Sequence, residues 1–325
     1  MKAVLVREFA PLDQLALAEV PARTPGPGEV LIAVHAAGVN FMDGLIAQGK
    51  YQSKPPLPFS PGAEVAGTVK QVGAGVSGIT PGMRVLAATG YGGFAEEAIA
   101  PAPAVMALPQ GMDFATAAGF PIVYGTSHHA LKERGQLRAG ETLLVLGAAG
   151  GVGLTAVEIG KVMGARVIAC ASSDEKLALC KEYGADALIN YSRTDLREQI
   201  KELSGGKGVD VVYDPVGGAY AEPCVRSLAV MGRYLVVGFA SGEIPKIPLN
   251  LLLLKTAALV GVFWGAYAKS HPQQNATNFA ELFAWYAQGR LKPHVSEHFP
   301  LASYAQALDV VMNRRAQGKV VLVVR

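Results

Sequence analysis

Apolar positions follow two different rhythms along this chain of 325 residues. Up to about residue 110 they come in strand-length runs, EVLIAVHAAGVN, AEVAGTVKQVG, MRVLAAT and FAEEAIA, separated by PGPG, SPG and TPG. Proline and glycine interrupt both helix and ladder, so this stretch predicts an irregular, mostly antiparallel β domain. From about residue 113 the rhythm changes. Asp113 stands where it can cap a short helix, FATAAGF, that stops before Pro121, and a second helix is expected from Thr126 to Glu133. Strand-like runs then recur as TLLVLG, RVIAC, ALIN, VDVVYD and RYLVVGF, with helical stretches LTAVEIGKVM, EKLALCKEYG, DLREQIKELS and AEPCVRSLAV between them. Apolar strands alternating with helices predict a parallel sheet covered on both faces. The last segments, NFAELFAWYAQG, VSEHFP, SYAQALDVVMN and KVVLVVR, read as helix, strand, helix and strand that return to complete the first domain. The expected division is 1–123 with 266–325 for the β domain and 124–265 for an inserted α/β domain, with the active site in the cleft between them.

Residues 142–153, TLLVLGAAGGVG, are the most informative stretch. A strand that stops in a glycine cluster and is followed by a helix sets backbone N–H groups and a helix N-terminus against a pyrophosphate. Gly151, Gly153 and Ala156 fit the G-x-G-x-x-G/A spacing, and Ala149, Gly150, Gly151 and Val152 are the candidate phosphate contacts. A larger residue at Gly151 would hold the phosphates off the backbone. The spacing alone also fits a plain glycine turn; the second strand about 20 residues on, RVIACASS, strengthens the nucleotide reading.

That strand also bears on which nucleotide is expected. NAD sites place an acid on the ribose 2′-hydroxyl. Here the strand ends Cys170-Ala171-Ser172 with no acid. Ser172, Lys176 one turn into the next helix and Tyr191 after ALIN form a set suited to a 2′-phosphate, which favours NADPH. Ser172 also fits an N-cap in S-x-x-E, and Lys176 a solvated helix charge.

Composition narrows the class. Half of the residues are hydrophobic and 17% are charged, which excludes a disordered chain. A net charge of +3 without a dense Lys/Arg run gives no nucleic-acid footprint. Cys170, Cys180 and Cys224 form no C-x-x-C pair and read as buried free thiols in a reducing compartment. The start, MKAVLVREFA, lacks the pattern of a signal peptide, and Lys255 and Gly261 interrupt the longest apolar run, LNLLLLKTAALVGVFWG. A cytoplasmic enzyme with no membrane span is the expectation.

Taken together, the motifs AAGGVG at 148–153, GVNFMDGLIAQGKY at 38–51, YGTSHHAL at 124–131, VVYDPVG at 211–217 and GVFWG at 261–265 make the chain resemble one known family. It is similar to the zinc-free quinone oxidoreductase (ζ-crystallin-like) branch of the medium-chain dehydrogenase/reductase superfamily. The resemblance implies an α/β architecture, with a GroES-like, mostly-β catalytic domain and a Rossmann doubly wound parallel-sheet domain. It also implies NADPH as cofactor and a homodimer. It gives the Thr126 hydroxyl to the nicotinamide ribose, where an N-cap Thr is the alternative. Phe239, Phe263 and Trp264 would hold the nicotinamide carboxamide through their backbone, an apolar strand at a dimer interface being the alternative for Trp264.

Zinc-using relatives carry a Cys, a His in G-H-E and a later Cys or Asp. In this chain Asn40 and Ala63 stand near the Cys and His positions, and Glu64 remains without ligand partners. Three cysteines cannot form a four-cysteine lobe. His294 and His298 have i, i+4 spacing in a segment, KPHVSEHFP, that is not helical. No metal site is expected, and without a Lewis acid alcohol oxidation gives way to quinones and activated alkenes.

Asn40, Asp43 and Tyr51 carry the substrate-side hypothesis: Asn40 to orient the ribose or a substrate carbonyl, Tyr51 to donate a hydrogen bond to the carbonyl that gains charge, and Asp43 more as the cap of DGLIAQG. The expected activity is reduction of a quinone by NADPH without zinc. An enone reductase and a non-catalytic NADPH-binding protein are the alternatives.

Overall fold

In the computed structural model, which describes residues 1–325, the eleven-residue strand Glu29–Val39 is the axis of the first unit. It pairs antiparallel with Glu64–Val72, Glu97–Pro101 and Lys319–Val323. Register shifts at Leu31/Ile32 and Val34/Ala36 bend its pairing with Glu64–Val72, as bulges do at barrel corners. The strands Arg84–Ala88 and Val105–Ala107 extend one side, and Val295–Pro300 closes the other by pairing parallel to Lys319–Val323. Val30, Ile32, Val34, Val65, Val69, Val85, Phe94 and Val320 form the core beneath this sheet.

The second unit is a six-stranded sheet, parallel throughout. Its order is Ala187–Asn190, Arg166–Ala171, Thr142–Val145, Val209–Asp214, Leu228–Val236, Ala258–Gly261. By position in the chain this is 3-2-1-4-5-6, the Rossmann order, which reverses beside Thr142–Val145. The inner strands read as continuous apolar runs because both faces are covered: Leu143, Leu144, Val145, Val167, Ile168 and Val211 are all fully buried.

The division of the chain differs from the sequence expectation at its second crossing. The units are Met1–Ile122 with Pro293–Arg325, and Val123–Lys292. The helices Trp264–Ser270 and Pro272–Ala287 therefore belong to the parallel-sheet unit and do not return to the β domain. Polar contacts hold them there: the Trp264 indole donates to Asn275 Oδ1 at 3.0 Å, and Tyr267 and Asn278 both donate to Glu133. Trp264 thus starts a helix, buried against Gly125, and is not a strand residue.

Two helix starts also differ. The helix expected from Thr126 begins at Pro121, runs to His128 and continues as a π-helix, His129–Arg134. Proline suits a first helical position because its missing N–H would have no partner there. Thr126 is therefore interior to a helix and not its N-cap. The helix after RVIACASS is capped by Ser173, whose Oγ accepts from Lys176 N at 3.3 Å, and not by Ser172.

Candidate active site and cofactor cradle

At the switch point of the parallel sheet the strand Thr142–Val145 leads into a glycine turn and then the helix Gly151–Val162. Gly147 has φ +56, a backbone conformation that L side chains rarely adopt. The first amide to bond back within the helix is Leu154, to Gly150 O at 2.8 Å, so the amides of Gly151, Val152 and Gly153 precede the ladder. They carry the positive end of the helix dipole, an arrangement that can hold an anion. A Cβ at Gly153 would sit 2.1 Å from the Gly147 carbonyl oxygen. Helix and turn approach as closely as backbone allows.

Three hydroxyls that the motif does not announce fix this turn. Ser127 Oγ is 2.9 Å from Thr155 Oγ1, from the Tyr213 hydroxyl and from Val152 O. Beside them, Asp214 Oδ1 accepts from the Val216 and Gly217 amides at 2.6 and 2.9 Å, and its Oδ2 accepts from the Tyr234 hydroxyl. This pins the VVYDPVG turn, in which Gly217 has φ +68. Burial pushes the Asp214 carboxyl up; the Tyr234 hydroxyl and the two amides pull it back.

Ser172 is exposed, past the end of Arg166–Ala171, with the capping duty taken by Ser173. Tyr191 N donates to Ala171 O at 3.2 Å, which sets Tyr191 beside that strand end, its ring 4.5 Å from the Tyr220 ring. Lys176 lies in the first turn of the helix Asp174–Glu182. The nearby acid, Asp174, is bonded to Asn190 Nδ2 and to the exposed Arg193, a residue the sequence reading did not single out. Thr126 is half-buried on its helix, Phe239 half-buried after Leu228–Val236, and Phe263 about half exposed (55%) before Trp264.

The first unit holds a buried polar cluster. Asn40 ends the strand Glu29–Val39, and Asp43 lies in the first turn of the helix Phe41–Ala47. The helix starts two residues before Asp43 and its N-cap is Asn40, so Asp43 is not the cap expected; from the third helical position its Oδ2 accepts from Asn40 N at 2.8 Å, as in a capping box. The Asn40 side chain donates through Nδ2 to Glu64 Oε1 and accepts through Oδ1 from Lys319 Nζ, both at 2.8 Å. Lys319 Nζ also reaches Glu64 Oε1 at 2.7 Å and Val39 O at 3.0 Å, and Glu64 Oε2 accepts from Ile122 N at 2.8 Å. Glu64, expected to lack ligand partners, is thus paired by a lysine 255 residues away in the chain. A Cβ on Gly38 would strike both Glu64 Oε1 and Ala118 O, so glycine there makes room for the carboxylate.

Asp43 is the anomaly of this cluster. It is 1% exposed and its Oδ1 has no hydrogen-bond partner. Burial pushes its pKa from 3.8 up to about 7, against the pull of the Asn40 amide and the Lys319 ammonium. The folded state keeps this proton between about pH 4 and 7, where the unfolded chain has lost it. Stability from Asp43 is therefore full below pH 4 and falls as pH rises towards 7, by about 4 kcal/mol in all. Denaturant melts at intervals from pH 4 to 8 should show this fall in the wild type and a flatter curve in Asp43→Asn. Tyr51, half-buried, has its hydroxyl pushed up by burial and then by the Asp43 charge, so it stays protonated. No group of three or more His, Cys, Asp or Glu side chains is arranged to hold a metal ion.

A glycine-cradled helix on a Rossmann sheet, with a GroES-like β unit, defines a two-domain nucleotide-dependent oxidoreductase. Family models match accordingly: the alcohol dehydrogenase GroES-like domain at residues 26–110 and zinc-binding dehydrogenase at residues 151–285. The chain is 42% identical over 300 residues to quinone oxidoreductase-like protein 2 homolog of Nematostella vectensis, covering 91% of this chain and 82% of that one. It is 34% identical over 325 residues to human quinone oxidoreductase, covering 99% and 97%. Its fold matches Escherichia coli quinone oxidoreductase complexed with NADPH at TM-score 0.93 and 30% identity, over 100% of both chains. The chain belongs to the quinone oxidoreductase branch of the medium-chain dehydrogenase/reductase superfamily. It is an NADPH-dependent oxidoreductase.

Proposed function

We propose that this protein reduces quinones at the expense of NADPH, without zinc. The observation that carries this reading is the near full-length likeness to human quinone oxidoreductase. The zinc-free part is supported by the Asn40, Glu64 and Lys319 cluster, in which a lysine ammonium is the cation that pairs the glutamate.

The residues fit the cofactor. The segment Ala149–Val152 opens a helix that Gly153 lets approach the Gly147 turn, which suits a pyrophosphate. Ser172, Lys176 and Tyr191 take the 2′-phosphate, Thr126 the nicotinamide ribose, and the backbone around Phe239, Phe263 and Trp264 the carboxamide. When bound, NADPH supplies a hydride from C4. The chain's own residues orient and polarise the acceptor. With Oδ1 and one N–H engaged, Asn40 keeps a second Nδ2–H to donate to a carbonyl. Tyr51, protonated across the physiological range, donates to the oxygen that gains charge.

The working unit is a homodimer. Ala258–Gly261 is an open edge of the parallel sheet. Around it Val230, Met231, Leu249, Leu253, Leu254 and Phe263 are exposed, a patch that suits a second copy. Sedimentation of the wild type as a dimer and of Leu253→Glu as a monomer is the expected result.

The test is NADPH oxidation followed at 340 nm (the reduced nicotinamide band) against 1,2- and 1,4-quinones, enones and aldehydes, with NADH and EDTA controls. Turnover of quinones that prefers NADPH and ignores EDTA supports the reading; turnover of enones alone replaces it with an enone reductase. Lys176→Ala should weaken NADPH binding by roughly 10–100-fold and leave NADH unchanged, because one charge-assisted phosphate contact is lost. Equal weakening of both nucleotides would remove Lys176 from the 2′-phosphate site.

A further inference from the structure

We propose that Lys319 and Glu64 are positioning residues of the reduction: they hold the Asn40 amide in the orientation that offers the acceptor an N–H and not the amide oxygen. This role rests on the quinone-reductase reading above. An amide turned end for end fills the same space, so only its partners decide which end is which. The partners here leave no choice. The Lys319 ammonium can only donate, and it stands 2.8 Å from Oδ1. The Glu64 carboxylate can only accept, and its Oε1 stands 2.8 Å from Nδ2. Lys319 Nζ and Glu64 Oε1 are themselves 2.7 Å apart, so the three contacts close a ring on the amide.

That ring engages the N–H on the Oδ1 side of the amide. The second N–H lies on the Cβ side, turned away from the ion pair, and no protein group accepts from it. In a side chain only 8% exposed, such a donor is costly unless a ligand or a water takes it. The ammonium on Oδ1 also draws charge from the amide nitrogen, which strengthens the free N–H as a donor. Backbone fixes both charged side chains in turn. Lys319 donates to Val39 O at 3.0 Å, and Glu64 Oε2 accepts from Ile122 N at 2.8 Å.

Quinone reduction needs a donor at such a place. A quinone that takes a hydride becomes a hydroquinone monoanion, and a proton from water completes it, so that quinone, NADPH and one proton give hydroquinone and NADP⁺. The Asn40 N–H transfers no proton; it stabilises the oxygen on which charge develops. An amide oxygen in its place would repel that charge. The orientation therefore bears on kcat more than on KM, because the charge is greatest in the transition state.

Lys319→Met/Glu64→Gln separates positioning from stability. The Ile122 amide holds the oxygen of the new glutamine, so its NH₂ falls to Asn40, which must turn its own oxygen to meet it. This variant has no buried charge left unpaired, yet it presents the wrong end of Asn40. Glu64→Gln alone is its counterpart: Lys319 still holds Oδ1 in place, while the unpaired ammonium lowers stability. Two measurements decide. With a 1,2-naphthoquinone and saturating NADPH, the double variant should lose roughly 100-fold in kcat, with quinone KM within about threefold of wild type. Glu64→Gln, although less stable, should be the more active of the two. The second measurement needs no cofactor. In the protein labelled with nitrogen-15 asparagine, the Asn40 side-chain signals are identified by their loss in Asn40→Ser. One wild-type Asn40 proton should stand well downfield, from its bond to the carboxylate, and this shift should vanish in the double variant.

A merely structural cluster would rank the two variants by stability, with the double variant the more active, and that order overturns the positioning role. So does a wild-type Asn40 signal without the downfield proton. A wild type that binds NADPH yet reduces no quinone overturns the quinone reading and the positioning role with it. A wild type that reduces quinones beside a double variant of equal kcat overturns the positioning role alone.

Discussion

Lys319→Met is expected to destabilise the protein by roughly 3–5 kcal/mol, the usual cost of removing one partner from a buried ion pair. Lys319 is 5% exposed and Glu64 is fully buried. The ammonium donates to Glu64, Asn40 Oδ1 and Val39 O, so its loss leaves a buried carboxylate with hydrogen bonds only from Asn40 and Ile122. Methionine matches the length of the lysine stem, so the effect reads the charge and not a cavity. Urea melts at pH 7 measure it, as a lower midpoint at an unchanged slope. Lys319→Met/Glu64→Gln should recover more than half of the loss, because glutamine asks for no counter-charge. A loss below about 1 kcal/mol in the single variant would mean that the pair is solvated and contributes as little as a surface bridge.

Gly153→Ala is expected to abolish tight NADPH binding while the β unit stays folded. The added methyl would stand 2.1 Å from Gly147 O and 2.8 Å from Ala148 Cα, and both are backbone. Neither can rotate away, so the helix Gly151–Val162 must shift from the turn, at a cost at or above the usual 1–3 kcal/mol of overpacking. The shift also pulls Thr155 and the Val152 carbonyl from Ser127, which loosens the first turn of that helix. Titration of NADPH fluorescence should show affinity reduced by about 100-fold or more, the equivalent of roughly 3 kcal/mol. Unaltered affinity would show that the cradle tolerates a wider turn than the packing of Gly153 indicates.

The alternation of strand and helix made the parallel sheet legible, because each element there is set by a local rule: an apolar run, a glycine, a cap. The nucleotide turn was legible for the same reason, since all of its parts lie within twelve residues of TLLVLGAAGGVG. What stayed hidden depends on distance or on competing local signals. Lys319 opens KVVLVVR like any polar residue at a strand start, and nothing nearby connects it with Asn40, 279 residues earlier. Ser172 and Ser173 offer the same capping chemistry, and only the φ and ψ of Ser173 select it. Pro121 reads as a helix stop after FATAAGF and as a helix start before IVYGTSH, and it is the start. The helices Trp264–Ser270 and Pro272–Ala287 follow the last strand of one unit and precede strands of the other; their side depends on Glu133 and Asn275, which no periodicity reports.

Quinones are electrophiles as well as oxidants, and they add to thiolates. The three cysteines of this chain are all buried without disulfide partners. Burial raises every one of their thiols, Cys180 to about 12 and the other two further. The folded protein therefore offers almost no thiolate at neutral pH, and a quinone finds no cysteine to alkylate. Mass spectrometry after incubation with excess naphthoquinone should find the native chain unmodified and the urea-unfolded chain labelled at Cys170, Cys180 and Cys224. The same three positions then serve as a clock for global opening of the Rossmann unit, since alkylation records each time its core comes apart.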